Sequence, residues 1–344
     1  MGLLKENSIY ALTQEDLKSF LSANDFSLEL ASIILQNLYK KNKRTKTISE
    51  KLLSVLEGNF SFSLPEIKQV SKSPDGTIKF LMGFHDQKTV ETVLIPFHKR
   101  FTVCLSSQVG CAMKCSFCYT GTMGLSRHLK SSEIVGQYVV AANYLREELG
   151  QKPVSPNIVF MGQGEPLHNS EEVLRAINIF MEPLGLGVGP RQMTLSTAGF
   201  LPGMKKLADF PKINIALSLH SPFNEVRKEL IPINQHYPLE DVLGALDELD
   251  LMKRQFVTYE YLLIDELNDR QEDADELKRL LGERPAIINI IPFNPFPGSS
   301  YKRPSVEKVD AFKEMLVSRK LRTMVRTTKG SDILAACGQL KSKT

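Results

Sequence analysis

The apolar positions of the chain fall into three zones of different period. Up to about residue 60 they recur at helical spacing. Leu17, Phe20 and Leu21 follow Thr13-Gln14-Glu15-Asp16, which reads as an N-cap with first-turn acids, and Leu30, Ile33, Ile34 and Leu38 mark a second helix over 28–39. From about 66 to 106 the period drops to two. Ile67-Lys68-Gln69-Val70-Ser71 and Thr77-Ile78-Lys79-Phe80-Leu81-Met82 flank the turn Pro74-Asp75-Gly76, which predicts a hairpin. In Val90-Glu91-Thr92-Val93-Leu94-Ile95 the alternation sets Glu91 opposite its apolar neighbours.

In the third zone short β-rich runs at 101–105, 157–161, 192–196, 213–218, 257–263 and 287–291 alternate with helical patterns at 132–147, 170–181, 203–210, 239–251, 273–281 and 305–319. Val173, Ile177 and Phe180, for example, share one helix face. Six β/α units imply a parallel sheet. They fall short of the eight that close a full barrel. The pattern therefore predicts an α/β fold: an open, partial (β/α)6 TIM-like barrel over 101–344, a helical accessory domain over 1–62, and a β extension over 63–100.

Length and composition are compatible with this plan. The chain has 344 residues, 42% hydrophobic and 24% charged, as in ordinary globular proteins. Met1-Gly2-Leu3-Leu4-Lys5-Glu6 has no apolar signal core, Glu6 breaks a myristoylation motif, and no stretch approaches a membrane span. A cytoplasmic, membrane-free location is expected, where five cysteines point to catalysis or metal rather than structural disulfides. A net charge of +4 identifies no nucleic-acid partner by itself. Its distribution says more: Lys40–Lys46, His98-Lys99-Arg100, and Arg319-Lys320-Leu321-Arg322 with Arg326 and Lys329 are candidate phosphate contacts.

Three of the cysteines carry the chemistry. Cys111-Ala-Met-Lys-Cys115-Ser-Phe-Cys118 has C-x3-C-x2-C spacing with no fourth ligand nearby. Three thiolates on a [4Fe–4S] cube leave one iron free to bind a reactant. A structural zinc site wants four ligands and usually two paired knuckles, and only one knuckle is present. In parallel β/α folds chemistry collects at the carboxyl ends of the strands. There the sequence sets Met161-Gly162-Gln163-Gly164-Glu165-Pro166, Ser196, Ser218-Leu219-His220, and Ile291-Pro292-Phe293-Asn294 after successive strands. Each alone is weak; their recurrence at one end of the sheet points to a site.

On these motifs the chain resembles the RlmN/Cfr family of radical S-adenosylmethionine (SAM) enzymes, which methylate an adenine ring carbon in RNA. The likeness runs from about residue 90 to 340. It rests on Val90-Glu91-Thr92, Cys104-x-Ser106-Ser107-Gln108-x-Gly110-Cys111, Gly164-Glu165-Pro166, Leu195-Ser196-Thr197, Ser218-Leu219-His220-Ser221-Pro222, Pro232-Ile233-Asn234 and Ala335-Ala336-Cys337-Gly338-Gln339-Leu340. One departure is Gln163, where relatives generally carry Met. The resemblance implies a [4Fe–4S] cluster on Cys111, Cys115 and Cys118, with SAM held by Gly164, Glu165, Ser196, Ser218, Leu219, His220 and Asn294. It implies two SAM per turnover: one methylates Cys337, and the radical from the second activates that methyl for attack on adenine. A covalent RNA adduct through Cys337 is then resolved by Cys104, forming a disulfide, with Glu91 as general base or adenine contact.

Asn294-Pro295-Phe296-Pro297-Gly298 and Val90-Glu91-Thr92-Val93 before Ile95-Pro96 resemble the type that methylates C2. Its targets are an adenosine in the peptidyl-transferase loop of 23S rRNA and the adenosine 3′ of the anticodon in tRNAs. The alternative is the C8 type acting on the same rRNA adenosine. The resemblance also implies an external reductant of flavodoxin type and a monomeric protein. Two other classes remain open: a radical-SAM activating or sulfur-inserting enzyme, which leaves Cys337 unexplained, and a non-catalytic iron–sulfur RNA-binding protein.

Overall fold

The structure, a computed structural model, describes residues 7–39, 48–97, 100–150, 155–253 and 255–342. The basic run Lys40–Lys46, together with His98 and Lys99, lies outside the described residues.

Three short helices open the chain: α1 (Gln14–Ala23), α2 (Leu30–Tyr39) and α3 (Glu50–Asn59). Thr13 and Asp16 close a reciprocal capping box on α1. Leu17, Leu21, Ile34, Leu35, Leu52 and Leu56 bury the inner faces. Arg175 ties this layer to the rest by donating to the Ala11 carbonyl at 2.9 Å and pairing with Asp16 at 2.8 Å.

Ten strands form one sheet. Strands β1 (Glu66–Lys72), β2 (Ile78–Gly83), β3 (Thr89–Phe97) and β4 (Arg100–Cys104) run antiparallel in sequence order. A separate hairpin, β5 (Gln108–Gly110) with β6 (Leu125–His128), frames the cysteine loop. From β4 the sheet continues parallel through β7 (Asn157–Phe160), β8 (Met193–Thr197), β9 (Asn214–Ser218), β10 (Val257–Leu263), β11 (Ala286–Pro292) and β12 (Thr323–Val325). The crossovers are α4 (Ser131–Glu147), α5 (Ser170–Met181), α6 (Leu201–Met204), α7 (Asn224–Leu230) with α8 (Leu239–Asp247), α9 (Gln271–Leu281) and α10 (Val306–Ser318). Consecutive strands are neighbours throughout, the order of a barrel rather than of a doubly wound sheet.

The six β/α units expected from the pattern are present, and β12 adds a seventh parallel strand that the pattern missed. The helix expected over 203–210 is only the single turn α6 followed by a 3-10 turn at Leu207–Asp209; Pro202 and Gly203 within it are poor helix formers. β3 is covered on both faces, so Glu91, set opposite its apolar neighbours by the alternation, is only 5% exposed.

Candidate active site

At the carboxyl ends of the parallel strands one cavity is lined by Cys111, Cys115, Cys118, Gly164, Glu165, Ser196, Ser218, His220, Glu260 and Cys337. Leu219 and Asn294, expected to join this group, lie outside the lining. The Leu219 carbonyl accepts from Arg227 Nε at 3.1 Å. Asn294 Nδ2 instead donates to the Cys337 carbonyl at 3.2 Å, so it fastens the C-terminal segment.

The turn after β7 has its shape for steric reasons. A Cβ on Gly162 would lie 2.6 Å from the Leu105 carbonyl oxygen, and Gly164 has φ +103°. That geometry aims Glu165 inward, where its carboxylate accepts the N–H groups of Leu167 at 3.1 Å and Ala198 at 2.8 Å. Burial pushes Glu165 up to about 7 despite those hydrogen bonds. His220 is held with φ +60°, and its Nδ1 accepts the Leu262 N–H at 3.1 Å, leaving the proton on Nε2. Burial and then the nearby Arg227 charge lower it to about 3, so the imidazole is neutral.

Arg227 was not singled out by sequence. Its guanidinium is fully buried and donates to the carbonyls of Leu219, Ala198 and Ser218 and to Asn234 Oδ1, at 2.5–3.1 Å. All four acceptors are neutral. The positive charge so held favours the thiolate of Cys115, against the burial that raises it. In the sequence Arg227 sits in Asn224–Leu230 among exposed charges, and nothing there marks it as internal.

Cys337 belongs to a segment stitched to the cysteine loop. The Tyr119 N–H donates to the Gly338 carbonyl at 2.6 Å, and Thr120 Oγ1 to the Leu340 carbonyl at 2.6 Å. Cys104 is buried behind it against Val93, Ala335 and Leu340. Burial pushes the Cys104 thiol up to about 12, reinforced by Cys337. Arg326, expected as a phosphate contact, is half-buried: its guanidinium reaches inward to 3.8 Å from Glu260 Oε1 and 3.8 Å from Met161 Sδ, with 28% of the side chain still exposed. There it opposes the burial that raises Cys337. Of the other cations in that run, Arg319 pairs with Asp275 at 2.7 Å and Arg322 stacks 4.4 Å over the Phe256 ring. Glu91 does not line the cavity. One of its oxygens meets Lys79 Nζ and the other the Lys341 N–H.

These donors fit a cluster and a charged ligand. Among the described residues no three of His, Cys, Asp or Glu gather closely enough to hold a single metal ion. The three thiols line the wall of one cavity instead, as a cube binding each sulfur to a separate iron requires. Glu165 is a buried carboxylate that no Lys or Arg pairs with among the described residues, a place that a ligand ammonium would complete.

The family model of the Radical SAM superfamily matches residues 105–279, half of the chain, which sets the class as radical SAM enzymes. Proteins named dual-specificity RNA methyltransferase RlmN are similar over most of the length. The one from Syntrophobacter fumaroxidans is 44% identical over 285 residues, 83% of this chain and 82% of that protein. The one from Pelobacter propionicus is 40% identical over 346 residues, covering 99% and 97%. A crystal structure of a radical SAM methyltransferase from Sphaerobacter thermophilus superposes with a TM-score of 0.89 at 37% identity, covering 97% of this chain and 99% of that one. The chain belongs to the RlmN family of radical SAM methyltransferases. That membership implies a [4Fe–4S] cluster and SAM as cofactors. Among the described residues no helix is long and apolar enough to cross a membrane.

Proposed function

We propose that the protein methylates carbon 2 of an adenosine in RNA: one in the peptidyl-transferase loop of 23S rRNA, and in tRNAs the one immediately 3′ of the anticodon. The observation that carries this reading is that Cys337 lines the same cavity as Cys111, Cys115 and Cys118, with Cys104 packed behind its segment. An activating or sulfur-inserting enzyme would leave Cys337 unexplained.

When bound to Cys111, Cys115 and Cys118, the cluster with SAM would supply a methyl group, the carbon-centred radical that a ring carbon that is not nucleophilic requires, and an acceptor for the one electron the RNA adduct gives up as it loses its proton. The chain's own residues do the rest. Glu165 takes the ligand ammonium; Gly164, Ser196, Ser218 and His220 orient the ligand, the neutral imidazole donating from Nε2. Sγ of Cys337 carries the methyl group and becomes the link between protein and RNA, and the guanidinium of Arg326 favours its thiolate. Glu91, held beside the cavity by Lys79 and the Lys341 N–H, serves as general base or adenine contact once it gives up that N–H. Sγ of Cys104 then attacks Sγ of Cys337. The S–S bond forms as the S–C bond breaks, and the electron pair left on carbon takes up a proton to complete the methyl group. A flavodoxin-type reductant supplies electrons. The adenosine enters flipped out of its stack through the open side of the barrel.

Mass spectrometry of nucleosides from a strain lacking the protein tests this. Loss of 2-methyladenosine from both rRNA and tRNA is expected. Loss of 8-methyladenosine would replace C2 by C8, and loss from rRNA alone would remove tRNA as substrate.

A further inference from the structure

Lys79 takes no part in the chemistry above, yet it stands at its hinge. In the antiparallel ladder Lys79 on β2 faces Val93 and Leu81 faces Glu91 on β3, so Lys79 and Glu91 are diagonal neighbours on one face. Lys79 Nζ meets Glu91 Oε1 at 2.7 Å, with side chains only 13% and 7% exposed. The same Nζ donates to the Leu334 carbonyl at 3.1 Å, and Glu91 Oε2 accepts the Lys341 N–H at 2.8 Å. Leu334 and Lys341 flank Cys337 on either side. Leu334 is itself held at φ +53°, a conformation a leucine keeps only where its surroundings fix it.

We propose that Lys79 is a positioning residue that clasps the Cys337 segment at both ends and so sets Cys337 against Cys104. This rests on the reading of those two thiols as carrier and resolver. Without the ammonium, the Leu334 carbonyl loses its donor and Glu91 is left a buried, unpaired carboxylate, which weakens its hold on Lys341 as well. One side chain thereby governs both anchors of the segment. An exposed lysine–glutamate pair carries little. This one is buried and shared with the backbone on either side of Cys337.

The test uses the full-length holoenzyme in two readouts, with Lys79→Met, Lys79→Arg, and Glu91→Gln as a second route to the same loss should Lys79→Met not fold. The first readout is amide hydrogen exchange across 334–341. The second is formation of the Cys104–Cys337 disulfide under diamide, which accepts the two electrons and two protons the thiols give up, followed by peptide mapping. Lys79→Met and Glu91→Gln should speed exchange in that segment about tenfold while the barrel strands are unchanged, and slow disulfide formation by a similar factor. Lys79→Arg should restore both. Wild-type exchange in Lys79→Met, or faster exchange with an unchanged disulfide rate, overturns the proposal. Slow exchange in the wild type with no Cys104–Cys337 disulfide at all overturns the carrier–resolver reading and leaves the clasp standing.

Discussion

Gln163 Oε1 accepts the backbone N–H of Glu91 at 2.8 Å, and the loop closes on itself. The Gln163 N–H donates to Ser106 Oγ at 2.9 Å, and that hydroxyl donates to the Glu91 carbonyl at 2.7 Å. Gln163 is fully buried, and its Nε2 reaches Ser342 Oγ at 3.3 Å in the tail. Gln163 is thus a junction of β3, the glycine turn and the C-terminal segment. Gln163→Met conserves volume but strands the buried Glu91 N–H, so it should cost about 1–2 kcal/mol in urea unfolding, and Gln163→Ala about 2–3 kcal/mol. An unchanged unfolding midpoint in Gln163→Met would show the junction to be dispensable.

Arg227 holds three strand-end carbonyls and Asn234 from a fully buried position. Arg227→Met removes a donor from all four acceptors, of which the Leu219 carbonyl keeps the Ser221 N–H at 2.8 Å, and a loss of about 3–5 kcal/mol is expected. Arg227→Lys keeps a charge but not the planar fork, and should fall between the two. Chemical denaturation of the three proteins checks the order.

Asp75 ties the first hairpin to the tail by accepting the Thr77 N–H at 2.8 Å and the Gly330 N–H at 2.8 Å. Burial works against its charged form, but hydrogen bonds from Thr77, Gly330 and Ser73 prevail and hold the carboxyl at about 2, below its ordinary 3.8. A depressed carboxylate contributes stability that is present above the ordinary value and lost as the pH falls through the folded one. Asp75→Asn should therefore be less stable than wild type by about 1 kcal/mol at pH 7, a modest figure because the carboxylate is largely exposed. The difference should shrink as the pH falls from 4 toward 2. A pH-independent difference in unfolding midpoint would contradict the assignment.

The two thiols outside the cysteine loop should separate cleanly on substitution. Cys337→Ala is expected to purify without covalent RNA and to form no methylated adenosine. Cys104→Ala should instead accumulate the protein–RNA adduct, visible as a nuclease-sensitive band shift. Normal turnover by Cys104→Ala would remove its resolving role.

Much of this architecture is written in the periodicity. The alternation of β-rich and helical stretches gives the six β/α units, and C-x3-C-x2-C marks the mouth of the barrel because its ligands are close in sequence. Features made by distant segments left no such trace. β12 is three residues long between Arg322 and Arg326, too short to show alternation. Arg326 reads as one more cation in a basic run, and only the fold turns it toward Glu260 and Cys337. Glu260 is the lone charge in the buried strand Val257–Leu263, which is the one sequence signal that marks it. The alternation of β3 sets Glu91 on the face opposite its apolar neighbours, but period two does not report that the tail covers that face as well.

The central claim is that the methyl carbon passes through Cys337. Supplying the holoenzyme with SAM whose methyl group is deuterated, then following the Cys337 peptide and the product nucleoside by mass spectrometry, tests it most directly. The account predicts the label on Cys337 before RNA is added, and then on adenosine carbon 2 with one deuterium missing. A fully deuterated methyl group on the RNA, with Cys337 never labelled, would contradict it.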